Sequence, residues 1–417
     1  MQQSLVDSSD VGTASRLQGW QMLNKVPQVT IFFWIIKVLC TTVGETVSDF
    51  LNVNLNLGLN GTAVAMGGCL LVVLFLQFRA KKYIPGLYWL SVVLISVFGT
   101  LLTDLMTDSL HIPLETSTAF FSLALAITFV VWYAREGTLS IHSIFTLRRE
   151  AFYWLAILFT FALGTASGDL MAESLGFGYL VTGLIICGAV VAVIAAWRFG
   201  LDEILAFWLV YIMTRPLGAS LGDYLTQTQA NGGLGLGAAV TSGLFLAAIL
   251  LVVIFLTITR RDFIAAPETV SEGQEQRPSL VWQVVGVVAV LVIVSGSGYY
   301  WRSTQLAKLR TVTAASASPL GDLSAFRKIT QDTLGLVHSG DLAGAQTRIT
   351  DLESAWDSGQ AQLKPMNSDK WTVLDTSVDH VLRSLHAAQP DAKVCATALQ
   401  SLLDSINTLD PQKAAGG

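Results

Sequence analysis

The chain has 417 residues, 52% of them hydrophobic and only 13% charged, with a net charge of −5 and a mean hydropathy of +0.57. A soluble globular chain carries about 25% charged residues, so this deficit, with apolar runs of membrane-spanning length, excludes an ordinary soluble domain and reads as a multi-span membrane protein. The small net charge argues against nucleic acid as a partner, and Cys40, Cys69, Cys187 and Cys395 form no CxxC or Cys/His spacing, which argues against a disulfide framework or zinc finger.

Residues 1–27 are polar and lack the basic-then-apolar order of a cleavable signal, so they are expected to form a cytoplasmic tail. Apolar runs predict nine spans, near residues 28–50, 61–78, 87–108, 116–133, 151–173, 179–197, 203–226, 236–259 and 281–300. Basic residues mark alternate connections: Arg79, Lys81 and Lys82, then Arg135, Arg148 and Arg149, then Arg198, then Arg260 and Arg261. The loops at 52–61 and 226–235 carry none. The positive-inside rule therefore places the N-terminus and the basic loops in the cytoplasm. Residues 28–262 form the transmembrane domain, and the acidic, proline-containing stretch 263–280 is a cytoplasmic linker. The ninth span, 281–301, then carries the chain outward, although Arg302, Lys308 and Arg310 beyond it run against the charge rule.

Residues 302–417 are expected outside the membrane as an up-down helical bundle, with apolar stripes at helical spacing and Ser368 and Asp391 as caps. His338 with Asp341, and Asp375 with Asp379 and His380, have metal-binding chemistry, but solvated helix faces carry such residues constantly. Sensing, a periplasmic partner or homo-oligomer contact is the expected use of this domain.

The odd-numbered spans repeat one pattern: "FWIIKVLCTTVGETVSD" (33–49), "YWLSVVLISVFGTLLTD" (88–104), "YWLAILFTFALGTASGD" (153–169) and "FWLVYIMTRPLGASLGD" (207–223). An aromatic residue and Trp are followed by nine residues, Gly, three residues, a small residue and Asp. Each repeat is thus a two-helix hairpin, and all four share one orientation, so the copies are parallel and predict a pseudo-fourfold or nested pseudo-twofold arrangement. The fold class is an all-α membrane protein with eight transmembrane helices as four parallel hairpin repeats, a ninth transmembrane helix, and a soluble helical bundle.

Each consensus position has a physical use. The tryptophans Trp34, Trp89, Trp154 and Trp208 suit an interfacial belt. Gly44, Gly99, Gly164 and Gly218 begin small-x3-small pairs that let helices approach closely. Asp49, Asp104, Asp169 and Asp223 lie about 22 Å beyond the tryptophans, in the outer part of the membrane, where they could converge on a cation- or proton-binding ring or simply cap wet helix ends. The copies also differ. Only the first carries Lys37 and Glu45, near one helix face and suited to an ion pair; only the fourth carries Arg215 and Pro216. Proline weakens a helix, and charge at a broken helix marks many transport sites, so Lys37, Arg215 and Pro216 are candidates for a gating network, with Glu45 facing Arg215.

The endings "GETVSD", "GTLLTD", "GTASGD" and "GASLGD", over residues 28 to about 260, resemble those of a family of bacterial membrane-anchored proteins with no firm function. The resemblance implies a bacterial inner (plasma) membrane but supplies no chemistry, and the residues carry the functional reading. Oxygen-rich acidic sites suit hard divalent cations such as Mn²⁺, and Met106 and Met171, two residues beyond Asp104 and Asp169, are compatible with that ion. The leading expectation is a divalent-cation transporter, exporter or exchanger, with the aspartates as metal ligands and protons as counter-ions. A membrane-anchored sensor and an organic-anion transporter using Lys37 and Arg215 are the alternatives. No catalytic motif such as HExxH, GxSxG or a P-loop is found, so an enzyme is not expected, and no cofactor is implied beyond a divalent cation as substrate.

Overall fold

The computed structural model describes residues 24–54, 58–110, 112–226, 234–262, 278–313, 319–364, 366–387 and 389–410. Its long helices, in chain order, are α1 (Ile31–Asn54), α2 (Gly58–Arg79), α3 (Pro85–Asp104), α4 (Leu114–Glu136), α5 (Leu147–Asp169), α6 (Tyr179–Arg198), α7 (Glu203–Thr226), α8 (Ala238–Thr259) and α9 (Pro278–Thr313). A bundle of α10 (Ser324–His338), α11 (Leu342–Leu363), α12 (Ser368–Leu385) and α13 (Ala392–Leu409) follows. No strand occurs among the described residues. Helices α1 to α9 are each long and apolar enough to cross a membrane.

Local chemistry sets several boundaries. Pro85 opens α3 behind an extended Ile84, because its missing N–H would be unbonded in the first turn anyway. Thr146 caps α5 by accepting from the Arg149 N–H, and Gly137 ends α4 at a φ of 70°. In the bundle Asp391 caps α13, as its position predicts. The cap of α12 is Asn367 rather than Ser368, which is already helical: the longer amide side chain one position earlier reaches the Lys370 N–H.

The odd helices form a closed ring. Helix α1 packs on α3, α3 on α5, α5 on α7, and α7 back on α1. The even helices lie outside them, and here the hairpin expectation needs correcting. Each even helix packs on the odd helix of the next repeat: α2 on α3, α4 on α5, α6 on α7, and α8 on α1. The two helices of one hairpin scarcely touch. Side-chain fit accounts for the exchange. A Cβ on Gly183 of α6 would lie 3.2 Å from Ser220 Cβ of α7, and Ser242 of α8 hydrogen-bonds Thr46 of α1 at 2.6 Å. Between 50 and 56% of residues are buried in the four inner spans against 6 to 28% in the outer four. The outer helices thus turn most of their apolar side chains, Leu71, Phe75, Leu184 and Leu251 among them, away from protein, as lipid-facing helices do.

Helix α9 flanks this body. Near its start the Gln283 side chain bonds Asp202 N–H (2.9 Å) and Gly200 carbonyl oxygen (3.4 Å), at the end that carries the basic loops. Near its far end Arg302 donates to the carbonyls of Leu175 (2.5 Å) and Gly176 (2.8 Å), and faces the Phe177 ring. The ninth helix therefore traverses the body, and the bundle stands at the end opposite the basic loops. Arg302, which breaks the charge rule, is held by backbone oxygens there.

At the basic end, residues read as the last of a polar tail fold inward. Lys25, 1% exposed, bonds Glu150 of α5 at 2.7 Å and the Phe78 carbonyl at 3.1 Å, while Gln77 holds the second Glu150 oxygen at 3.2 Å. Tyr83 donates to Asp262 at 2.6 Å. Burial and this bond push the Tyr83 phenol up, and burial raises the Asp262 carboxyl against that same hydrogen bond.

Candidate functional site at the ring centre

Residues four apart share one helix face, and the repeat register turns that face into layers. From the basic end they run Phe33, Tyr88, Tyr153, Phe207; then Lys37, Val92, Ile157, Tyr211; then Thr41, Ser96, Phe161, Arg215; then Glu45, Thr100, Thr165, Ala219. The next layer holds the four aspartates. The first layer and its neighbouring tryptophans form an aromatic floor. Tyr88 and Tyr153 share a 2.5 Å hydrogen bond, and Trp208 donates to the Leu139 carbonyl at 3.0 Å. Trp89, Trp154 and Trp208 are buried in this floor. They are core residues rather than an interfacial belt, because the closed ring leaves that helix face no lipid to meet.

The four glycines make the ring possible, each against the next helix. A Cβ on Gly44 would fall 1.9 Å from Ser96 Oγ, on Gly99 2.9 Å from Phe161 Cβ, on Gly164 2.4 Å from Arg215 Cβ, and on Gly218 1.8 Å from Thr41 Oγ1. Contacts below 3 Å cannot persist, so the small-residue pattern acts between consecutive inner helices. Pro216 packs against the same face, 3.0 Å from the Gly164 position and 3.4 Å from that of Gly168. Helix α7 continues unbroken through it. The expected broken helix is absent because Pro216 is clamped by α5.

Arg215, fully buried, joins three helices. Its Nη1 donates to the Thr41 carbonyl at 3.0 Å, and its Nη2 to Glu45 Oε2 at 2.5 Å and to the Thr100 hydroxyl. Since α3 lies across the ring from α7, the guanidinium crosses the axis. Lys37 does likewise: its Nζ sits 3.5 Å from the centroid of the Phe161 ring on α5 and 4.2 Å from that of Tyr211. It is 1% exposed and has no hydrogen-bond acceptor among the described residues. The expected ion pair of Lys37 with Glu45 does not form, because Arg215 reaches that carboxylate first and the ammonium lies a layer below it. The axis is thus closed by two cations, one carboxylate and buried threonines.

Of the four aspartates, Asp104, Asp169 and Asp223 are half-buried at the end opposite the basic loops, and the Asp49 side chain lies outside the described residues. Asp169 is within electrostatic reach of Glu173, Glu45 and Arg215. Among the described residues no three His, Cys, Asp or Glu side chains are arranged to hold a metal ion, in the ring or in the bundle. Asp375 of the bundle instead accepts the Trp356 indole N–H at 2.6 Å.

Sequence reasoning missed two features here. Directly after Asp104 and Asp169 the helices widen into π turns, Leu105–Ser109 and Leu170–Ser174, a local form found often at functional sites. "LMTDS" and "LMAES" at matched positions were the available signal. Glu173, in the second of these turns, accepts from Tyr179 at 3.0 Å and pairs with Lys364 of the bundle at 2.7 Å, which docks that domain beside the aspartate layer.

No curated protein and no solved structure matches the chain. A family pattern described as a Repeat of Unknown Function (DUF347) matches four times, at residues 32–83, 87–138, 152–199 and 206–262. Each match covers one odd helix and the even helix after it, so the sequence unit is the hairpin even though the packing unit is not. These four matches span half of the chain, which belongs to the family built from this repeat of unknown function.

Proposed function

We propose that the chain is a membrane transporter that moves a charged substrate along the axis of the four-helix ring, with the basic loops in the cytoplasm and the bundle outside. The observation that carries this reading is the buried Arg215–Glu45 pair at the α7–α1 seam, whose guanidinium also reaches across the closed axis to Thr100. Ionised groups at that depth are expensive and are retained chiefly in substrate or ion pathways. A divalent cation suits the acidic outer end, where Asp104, Asp169, Asp223 and Glu173 gather negative charge. Lys37 and Arg215 together oppose a bare cation at the centre, so passage requires Arg215 to release Glu45, which then becomes the innermost carboxylate. The Arg215–Glu45 contact is the gate in this reading, and Pro216, packed behind it, sets how far α7 can move.

The test is uptake of a panel of divalent cations, Mn²⁺ included, into vesicles holding the purified chain. Transport of at least one ion, abolished by Glu45→Gln and reduced at least tenfold by Asp169→Asn, is the expected result. A chain that moves none of them under a pH gradient of either sign overturns the cation reading.

A further inference from the structure

The centre of the ring carries an imbalance that the gate leaves unexplained. Two cations, Lys37 and Arg215, face one carboxylate, Glu45, and Arg215 already holds it. Lys37 is left with aromatic faces alone. A cation–π contact offsets part of the loss of hydration, but an ammonium buried without an acceptor is among the most unfavourable groups a protein interior can hold.

Two further donors of α7 in the same two layers share this condition, as does the Ser96 hydroxyl of α3. The Tyr211 hydroxyl and Arg215 Nε are buried with no partner among the described residues. Both belong to α7, one turn apart, and Tyr211 is the residue whose ring lies beneath the Lys37 ammonium. Lys37, Tyr211 and Arg215 all donate hydrogen bonds and two of them carry positive charge, whereas the Glu45 carboxylate lies one layer away on the other side of the guanidinium. Three buried donors in adjacent layers, with surplus positive charge and no acceptor, have the chemistry of an anion site.

We propose that Lys37, Tyr211 and Arg215 frame a binding site for one small monovalent anion at the centre of the four-helix ring. The surrounding layer members Val92 and Ile157 are fully buried and apolar, and the aromatic floor closes the basic side, so the site takes a halide or a short carboxylate and rejects a bulky one. The bound anion balances the charges of the layers below the aspartates: Lys37 and Arg215 against Glu45 and the anion. This goes beyond the transport reading, because the site holds its anion whichever ion is carried.

The purified full chain in detergent micelles tests this without any transport measurement, so that failure here and failure of transport are separate results. Radiolabelled chloride is titrated at constant ionic strength in sodium gluconate. Saturable binding of about one chloride per chain is expected, displaced by acetate but not by gluconate. Displacement by chloride and acetate alike assigns a general small-anion site, and displacement by neither acetate nor gluconate assigns a halide site. Lys37→Met should abolish binding. Tyr211→Phe, which keeps the ring under the ammonium and removes one donor, should weaken it about tenfold, and it serves as the informative variant if Lys37→Met does not fold. The absence of saturable binding in the unaltered chain, equal displacement by gluconate, or unchanged affinity in both variants would overturn the proposal.

Discussion

The Arg215 guanidinium holds the Glu45 carboxylate at 2.5 Å across the seam where the last inner helix meets the first. The same guanidinium bonds the Thr41 backbone and, on the far side of the axis, the Thr100 hydroxyl. One side chain therefore ties together three of the four repeats.

Removing one partner of a buried pair strands the other charge, which costs about 3–5 kcal/mol. Arg215→Ala is expected to lose stability on that scale in detergent. Glu45→Gln introduced with it should recover part of the loss, since the stranded carboxylate is then neutral. Thermal unfolding of the two single variants and the double variant measures the coupling; simple additivity would mean the pair is not coupled.

Ring closure predicts which glycines tolerate a methyl group. At Gly218 an added Cβ meets Thr41 Oγ1 at 1.8 Å and the Thr42 backbone nitrogen at 3.2 Å, and at Gly164 it meets the Arg215 stem at 2.4 Å. Alanine at either site should destabilise by about 1–3 kcal/mol through overpacking. Gly188, helical and with nothing within 4 Å, should accept alanine with no loss or a gain of up to about 1 kcal/mol from helix propensity. Melting temperatures of the three variants check the order.

The exchanged outer helices predict a cross-link that paired hairpins would not allow. Thr46 of α1 and Ser242 of α8 touch through their hydroxyls, although almost the whole transmembrane domain lies between them in sequence. With the four native cysteines replaced, a Thr46→Cys, Ser242→Cys chain should form an intramolecular disulfide under mild oxidation, seen as a reducible shift on a denaturing gel. A chain that stays reduced would place α8 elsewhere.

The bundle should respond to pH through Asp375. Burial raises its carboxyl to about 6 from an ordinary 3.8, against the opposing Trp356 hydrogen bond. The folded bundle thus binds this proton more tightly than the unfolded chain does. The stabilisation is complete below about pH 4 and is lost as pH rises through about 6. The urea midpoint of the bundle within the full chain should fall across that window, and Asp375→Asn should remove that part of the slope. An NMR titration of the Trp356 indole N–H with a midpoint near 6 would identify the group directly.

Periodic features were legible in the sequence, and pairwise ones were not. Four copies of one apolar pattern place the eight repeat helices within a few residues of their positions, because length and hydropathy act locally. The ninth helix instead runs on to Thr313, well past the apolar stretch that ends near residue 300. The glycines were recognised as contact points, and Glu45 was expected to face Arg215. Which helix each glycine would meet was not legible, since closure between α7 and α1 depends on side chains more than 170 residues apart, such as Thr42 and the Gly218 carbonyl oxygen. The place of the tryptophans is not legible for a related reason: a Trp at a helix end suits a lipid interface or a protein core equally, and only the closed ring decides. Lys37 was matched to the nearest acid on its own helix, whereas its contacts are aromatic rings on α5 and α7. Lys25 belongs by composition to the polar tail, and nothing in that stretch announces its buried partner Glu150.

Because every outer helix leans on the repeat ahead of it, the order of synthesis becomes the order of completion. Helix α1 emerges first, yet its two late partners, α7 and α8, are the last helices of the four repeats to be made. Until then one flank of the ring stays open, and a chain released early would expose the hydroxyl-rich face of Thr41, Thr42 and Thr46. The same geometry fixes the number of units. Stacked repeats in a solenoid can gain or lose a copy at either end, whereas a circle whose last member bonds its first has no free end to extend. A fifth unit would have to unfasten Gly218 from Thr41, and a chain of two such units could satisfy its edges only by pairing with another copy of itself.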